Sequence, residues 1–409
     1  MGSLPPLVEP GPPLSADARA RGSRQLLLPG FGELAQRRLA AARVLVIGAG
    51  GLGSPVLSYL AGAGIGTLGI VDSDTVDISN LHRQIIHRTA DVGEPKTSSA
   101  SRAIAASSPL TTVVQHPVRL DRHNALTVMS GYDLVVDGSD NFATRYLVSD
   151  AAALLRLPHV WGSVLRFDGQ VAVFWEGAPP ARALDYRDLH PVPPAPGDVL
   201  SCDEAGVLGS VCAVIGAMMA TEAIKLVTGT GEPLLGRVAT FDGLDASWRE
   251  LAVTRAPDRR PVTGLIDYDL FCGAADGPEG GIGSGHGEPD AATIGPADLR
   301  AALLDPAARL VDVREPDEHA QDHLDGDLLL PLEELLRDPV RLGDPGGNRD
   351  PGGFRGAAGS DAGGALIVYC ATGRRSARAV QVLREAGIPA VSLAGGIRAF
   401  REAEAAAAL

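Results

Sequence analysis

The chain has 409 residues, 45% of them hydrophobic, with 50 acidic against 36 basic side chains and a formal net charge of −14. That length supplies two or more domains with cores of their own, and the acidic balance argues against a nucleic-acid-binding protein. Four cysteines, at 202, 212, 272 and 370, form no C-x-x-C pair, no run is apolar for long enough to span a bilayer, and the N-terminus lacks a signal peptide's basic start and apolar core. Reduced thiols, a cytoplasmic home and no membrane partner are therefore expected.

Residues 1–20 are Pro-rich and predict a disordered tail before a large module over 21–272. Arg43-Val-Leu-Val-Ile47 reads as a buried strand, followed by Gly48-Ala-Gly50-Gly-Leu-Gly53 and a helix through Ala63. A Gly-x-Gly-x-x-Gly turn there lets phosphate approach backbone amides at the helix N-terminus. Thr67-Leu-Gly-Ile-Val71 is the next strand, and Asp72 stands where the dinucleotide fingerprint places a ribose-binding acid. Taken alone this pattern says only "nucleotide": an NAD-dependent oxidoreductase is the default, and a glycine turn serving helix–sheet packing is the plain alternative.

The residues after Asp72 depart from a dehydrogenase. Asp72-Ser-Asp-Thr-Val-Asp-Ile-Ser-Asn80-Leu-His-Arg83-Gln84 gathers acids, amides and an arginine directly behind the strand. Arg83 and Gln84 suit a triphosphate, and Lys96, opening a helix after Pro95, suits its α-phosphate. Leu134-Val-Val136 is another strand, running into Asp137-Gly-Ser-Asp140-Asn141, whose carboxylates on the same sheet edge suit magnesium. Singly, Arg83 and Lys96 also read as surface charges and Asp140 as a helix N-cap before Phe142. Cys212, in an apolar helical run with Ile215 and Met219, reads as core packing.

Residues 273–290 are Gly-rich, acidic and aperiodic, a linker composition, leaving a smaller module over 291–409 with a flexible insertion at 344–364. Within it Ala365-Leu-Ile-Val-Tyr369 reads as a buried strand, Cys370-Ala-Thr-Gly373-Arg-Arg-Ser376 as a loop, and the residues from Ser376 to Leu383 as a helix. A cysteine facing a helix N-terminus, with Arg374 and Arg375 beside it, is expected to ionise below the free-thiol value of about 8.5. It reads as a thiolate ready to carry sulfur; an ordinary buried cysteine at a strand end is the alternative.

Together, the glycine loop, DSDTVDISNLHRQ, EPKTSSA and DGSDN resemble the ThiF/MoeB family, relatives of ubiquitin-activating enzymes that adenylate the C-terminus of small ubiquitin-like proteins. The segments Tyr186–Gly209, Ala223–Gly229 and Leu265–Gly273 narrow the resemblance to the MoeZ-type adenylyltransferase/sulfurtransferases, in which a rhodanese-like domain follows. Leu310-Val-Asp312-Val-Arg314-Glu315, His323-Leu-Asp-Gly326 and Ala394-Gly-Gly396-Ile resemble rhodanese hallmarks around Cys370.

The resemblance implies an α/β protein: a Rossmann-like ThiF/MoeB adenylation domain with a mixed sheet, then a smaller α/β rhodanese domain. It implies ATP and Mg2+ as cofactors, with Gly48, Gly50, Gly51 and Gly53 as nucleotide loop and Asp72 on the ribose. Asn80, Arg83, Gln84 and Lys96 would bind the triphosphate and Asp140 the metal. Arg24 matches an arginine that reaches into the partner subunit's site, which implies a homodimer. Cys370 would carry a persulfide, and Cys202, on the proline-rich crossover, matches the second cysteine of sulfur-transferring relatives.

MoeB-type relatives hold a structural zinc with two C-x-x-C pairs. Here the corresponding stretches, near Asp185–Asp188 and 256–265, hold no cysteine, so no zinc is expected. The implied partners are β-grasp sulfur-carrier proteins ending in Gly-Gly, serving molybdopterin, thiamine, cysteine or thio-metabolite synthesis, with thiosulfate or a cysteine desulfurase as sulfur donor. A peptide-adenylating relative without sulfur transfer, an NAD-dependent oxidoreductase and a non-catalytic interaction protein remain as other readings.

Overall fold

The computed structural model describes residues 4–194, 205–257, 259–272, 293–305, 308–339 and 366–407. The expected linker at 273–290 and insertion at 344–364 lie outside the described residues. The chain forms two compact units, Met1–Pro278 and Glu279–Leu409.

In the first unit, α1 (Ala16–Arg21) and α2 (Gly32–Ala41) lead into β1 (Arg43–Ile47), α3 (Gly53–Ala63) and β2 (Thr67–Val71). Then come α4 (Lys96–Ser107), β3 (Thr112–His116), α5 (Ala125–Met129), β4 (Leu134–Asp137) and α6 (Phe142–Leu155). The unit continues through β5 (His159–Leu165), β6 (Asp168–Phe174), α7 (Gly209–Thr228), β7 (Arg237–Asp242), β8 (Ser247–Ala252) and α8 (Tyr268–Phe271). One eight-stranded mixed sheet runs β3-β2-β1-β4-β5-β6-β7-β8. Strands β1 to β5 are mutually parallel, and the pairings from β5 to β8 are antiparallel. Beyond its first residue β1 (44–47) is apolar and buried, as are residues 68–71 of β2 and 134–136 of β4, the pattern of parallel strands covered on both faces. The carboxyl ends of β1, β2 and β4 therefore meet at one edge, with β1 between the other two, and each leads into a loop named above.

Two expectations are corrected here. Residues 4–21 are ordered against the domain: Leu4 is buried, and the Leu7 N–H donates to the Leu226 carbonyl at 3.0 Å. The apolar residues between the prolines anchor this segment to the core, so its composition does not make it a free tail. Helix α7 is also long and apolar enough, by composition, to cross a membrane. Its apolarity is that of a core helix: Val211, Cys212, Ile215, Met219 and Ala223 are buried in the main core cluster.

The second unit contains β9 (Thr293–Ile294), α9 (Pro296–Ala302), β10 (Arg309–Asp312), α10 (Pro316–Gln321) and β11 (Leu328–Leu329). It continues with α11 (Leu332–Arg337), β12 (Leu366–Tyr369), α12 (Arg374–Glu385), β13 (Ala390–Leu393) and α13 (Gly396–Ala407). Its sheet is wholly parallel, in the order β11-β10-β12-β13-β9. β12 is central and buried throughout, so its last residue delivers Cys370 to the carboxyl edge of this sheet.

Candidate functional site

At the edge where β1, β2 and β4 end lies a cleft of about 360 Å³. Gly48, Gly50 and Gly51 line it from the β1–α3 turn, Asp72 and Asp74 from the end of β2, and Arg83, Gln84 and Lys96 from the segment that follows. Ser139, Asp140 and Arg145 close it from the β4–α6 side. The glycines have local causes. Gly48 has φ +85°, and a Cβ at Gly53 would overlap the Gly48 carbonyl oxygen, so this turn closes only without side chains.

Asp72 ties the loop to the neighbouring strand: one carboxylate oxygen accepts the Ala49 N–H and the other the Asp74 N–H, both at 2.8 Å. Burial raises its pKa, against the opposing pull of Lys96. Lys96 is a buried lysine, with its Nζ 2.8 Å from an Asp74 oxygen; its own main-chain N–H bonds the Asp74 carbonyl. Arg83 packs beside Gly51, and α7 begins against the same turn, since a Cβ at Gly209 would overlap the His82 carbonyl. Gln84 is buried, and its Oε1 meets no hydrogen-bond partner among the described residues.

The N-cap alternative for Asp140 is settled by its neighbour. Asn141 caps α6, its Oδ1 accepting the Thr144 N–H at 2.9 Å, while the exposed Asp140 lines the cleft. Asp137 orients this turn from below, accepting the Ser139 N–H at 2.9 Å.

Not every candidate residue converges. Asn80 is not among the lining residues; its Nδ2 donates to Ser79 Oγ at 3.3 Å, and its carbonyl accepts the Arg83 and Gln84 N–H groups, shaping the turn that carries them. Gly53 sits under the loop as helix start rather than in the lining. Arg24 is exposed and does not line the cleft of its own chain. Cys202 lies outside the described residues. Cys212 is buried as expected, yet it also lines the cleft beneath Gly51. Arg119 and Arg145 line the cleft without having been singled out in the sequence. Arg145 donates to the Ser139 carbonyl from Nε and Nη2 and lies over the Phe142 and Trp161 rings.

In the second unit Cys370 follows β12 with its side chain buried. The Gly373 N–H donates to its Sγ at 3.2 Å, and Ser376 Oγ lies 3.6 Å from the same sulfur. The loop is held from the far side by the Ile397 N–H on the Cys370 carbonyl at 2.9 Å, an approach that a Cβ on Gly396 would block. One expectation is modified. Arg375 is buried in a bidentate pair with Glu318, at 2.6 and 2.7 Å, so its charge is shared with a carboxylate rather than reserved for the thiol. Burial works against that carboxylate, but the Arg375 pair, the Glu315 N–H and the Arg314 charge together outweigh it and lower the Glu318 pKa. Behind the loop, Arg314 grips Asp312 and the Tyr369 hydroxyl donates to Asp327, which fixes the strand ends.

Comparison with known proteins agrees with both units. The ThiF family model matches residues 22–262, and a rhodanese-like domain model matches residues 295–403. A probable adenylyltransferase/sulfurtransferase MoeZ of Mycobacterium tuberculosis is 48% identical over 403 residues, covering 97% of this chain and 96% of the relative. A sulfur carrier protein adenylyltransferase of Thermus thermophilus is 51% identical over 261 residues, covering 62% of this chain and 96% of its own. Among solved structures, E. coli MccB with MccA-N7isoASN shares the fold, with TM-score 0.53 and 21% identity over 61% of this chain and 75% of that one.

Proposed function

The chain belongs to the ThiF family, in its adenylyltransferase/sulfurtransferase branch with a rhodanese-like domain, and from that premise we propose that it converts the C-terminal carboxylate of a ubiquitin-like, Gly-Gly-ended sulfur carrier into a thiocarboxylate. One observation carries the reading. The glycine loop, Asp72, Arg83, Gln84, Lys96 and Asp140 line a single cleft, while the same chain presents Cys370 to the N-terminus of α12.

In the first half-reaction, a carrier carboxylate oxygen attacks the α-phosphorus of ATP. The bond to the β-phosphate breaks, giving an acyl-adenylate and pyrophosphate. Backbone at Gly50 and Gly51 receives the phosphates, Asp72 the ribose hydroxyls, and Arg83 and Lys96 offset the charge of two anions brought together. The donor set suits magnesium: with the N-cap taken by Asn141, the Asp140 carboxylate is left to hold the ion together with phosphate oxygens. When bound, the ion would neutralise phosphate charge. Arg24, unused in its own cleft, is assigned to the cleft of a second copy in a homodimer.

In the second half-reaction, sulfane sulfur from thiosulfate or a cysteine desulfurase resides on Cys370 as a persulfide. Its terminal sulfur attacks the acyl carbonyl and AMP leaves, producing an acyl disulfide between carrier and Cys370. Attack by a second thiol, assigned to Cys202, on the Cys370 sulfur releases the thiocarboxylate and leaves a protein disulfide for an external thiol to reduce.

The test is to incubate the protein with MgATP, thiosulfate and a Gly-Gly-ended carrier and to weigh the carrier intact. A mass gain equal to sulfur replacing oxygen supports the reading. Cys370→Ala is expected to keep carrier-dependent pyrophosphate release and lose the mass gain. Thiocarboxylate formed at full rate by Cys370→Ala from a protein persulfide donor would overturn it. A peptide-adenylating enzyme without sulfur transfer accounts for the cleft but leaves Cys370 without a task.

A further inference from the structure

The two peptide units flanking Ala49 in the glycine loop are each pinned by a side chain. The Ala49 N–H is held by Asp72; the Ala49 carbonyl lies 2.9 Å from Nε2 of His87. His87 is buried, its Nδ1 is 2.8 Å from Ser99 Oγ on α4, and Ser99 Oγ is 2.8 Å from an Asp91 oxygen. The imidazole thus bridges the phosphate-facing turn to the helix whose first residue is Lys96. We propose that His87 is a positioning residue for the nucleotide: by clamping the Ala49 carbonyl against α4 it fixes the backbone at Gly50 and Gly51 in register with Lys96.

Proton counting defines the ring. A carbonyl only accepts, so Nε2 carries a hydrogen. Three gaps, from Ala49 to His87 to Ser99 to Asp91, need three protons to be filled. A neutral ring and the Ser99 hydroxyl supply two, and the third comes only with the imidazolium. Burial holds the His87 pKa below its usual value, with Lys96 acting in the same direction and the Ala49 carbonyl, Asp72 and Asp91 against it. The ring is therefore neutral near pH 7, and the Ser99 proton is shared between Nδ1 and Asp91. Nε2–H survives in both protonation states, so the clamp does not titrate; His87 acts by geometry and donates no proton to substrate.

This assignment rests on the adenylation reading, and MgATP binding separates the two without any carrier. Calorimetry of the full chain would compare the unaltered protein with His87→Phe, which keeps a ring but no donor, and His87→Gln, whose amide reaches as far as Nε2. Loss of one donor to a buried carbonyl predicts a dissociation constant raised about tenfold in His87→Phe. His87→Gln is expected within about threefold of the unaltered chain. Carrier-dependent pyrophosphate release should show the same order in KM for ATP. If the unaltered chain binds MgATP but His87→Phe binds it equally well, or His87→Gln falls as far as His87→Phe, the assignment is overturned. Absence of MgATP binding by the unaltered chain would overturn the adenylation reading and this assignment with it.

Discussion

Asp72 already uses both carboxylate oxygens on backbone N–H groups before any nucleotide arrives, so it shapes the loop as well as the ribose position. In Asp72→Asn one of those N–H groups meets an amide N–H, and MgATP affinity is expected to fall about tenfold or more in a calorimetric titration. Asp91, at the far end of the His87 chain, has a testable pH signature. Arg102 first, then Ser99, hold its carboxyl down to about 2 from 3.8. Between those values the unfolded chain binds more protons than the folded one, so the stabilisation is present above about pH 4 and lost as pH falls toward 2. The melting temperature of Asp91→Asn should therefore lie below that of the unaltered chain near neutrality and converge with it in acid. Arg102 is half exposed, so solvent screening keeps the difference small. The residues legible in the sequence were those set by a local pattern: glycines at fixed spacing, an acid at a strand end, a cysteine between strand and helix. Arg145 and Arg119 escaped because an arginine on a helix or after an edge strand carries no mark of the cleft its fold turns it toward. His87 escaped because its partners, Ala49 and Ser99, lie 38 and 12 residues away.

At the scale of elements, the region without cysteines shows what holds it together. Arg259 is nearly buried and reaches three carboxylates: Glu176 at 2.7 Å, Asp185, and Asp188 at 3.2 Å. Asp185 also caps the short turn Tyr186–Asp188, and Asp188 accepts the Ala256 N–H at 3.0 Å, so the two stretches are joined by main chain as well. Burial raises the Asp188 pKa, with the neighbouring Glu176 carboxylate acting the same way and the Ala256 N–H and Arg255 acting against it. Arg259→Met would leave buried carboxylates without that cation, at a cost of about 3–5 kcal/mol by analogy with broken buried pairs. Calorimetric melting should show the loss in the larger unit's transition, and a chelator should leave the unaltered chain's melting unchanged. The absence of C-x-x-C pairs was visible in the sequence; the Arg259 cluster was not, because an Asp-x-x-Asp and an arginine some seventy residues later are unremarkable until the fold brings them together. The Pro-rich N-terminus failed for the opposite reason: composition pointed to disorder, while Leu4 joined the core cluster and the Leu7 N–H found the Leu226 carbonyl of α7.

For the whole molecule, two independently packed units in one chain predict that connection matters to only one half-reaction. A protease site placed within 273–290 and cut after folding should leave carrier-dependent pyrophosphate release unchanged. Thiocarboxylate formation should then become concentration-dependent, because a tethered persulfide acts at an effective concentration that a free one lacks. Full-rate sulfur transfer by the severed halves at low concentration would argue against tethering. The Arg259 clasp has a consequence for an enzyme of this kind. A protein that carries sulfane sulfur works among oxidants, electrophiles and stray persulfides, all of which attack thiolates. Carboxylates and a guanidinium are inert to that chemistry, so the fold's own fastening is out of reach of the reagent it handles.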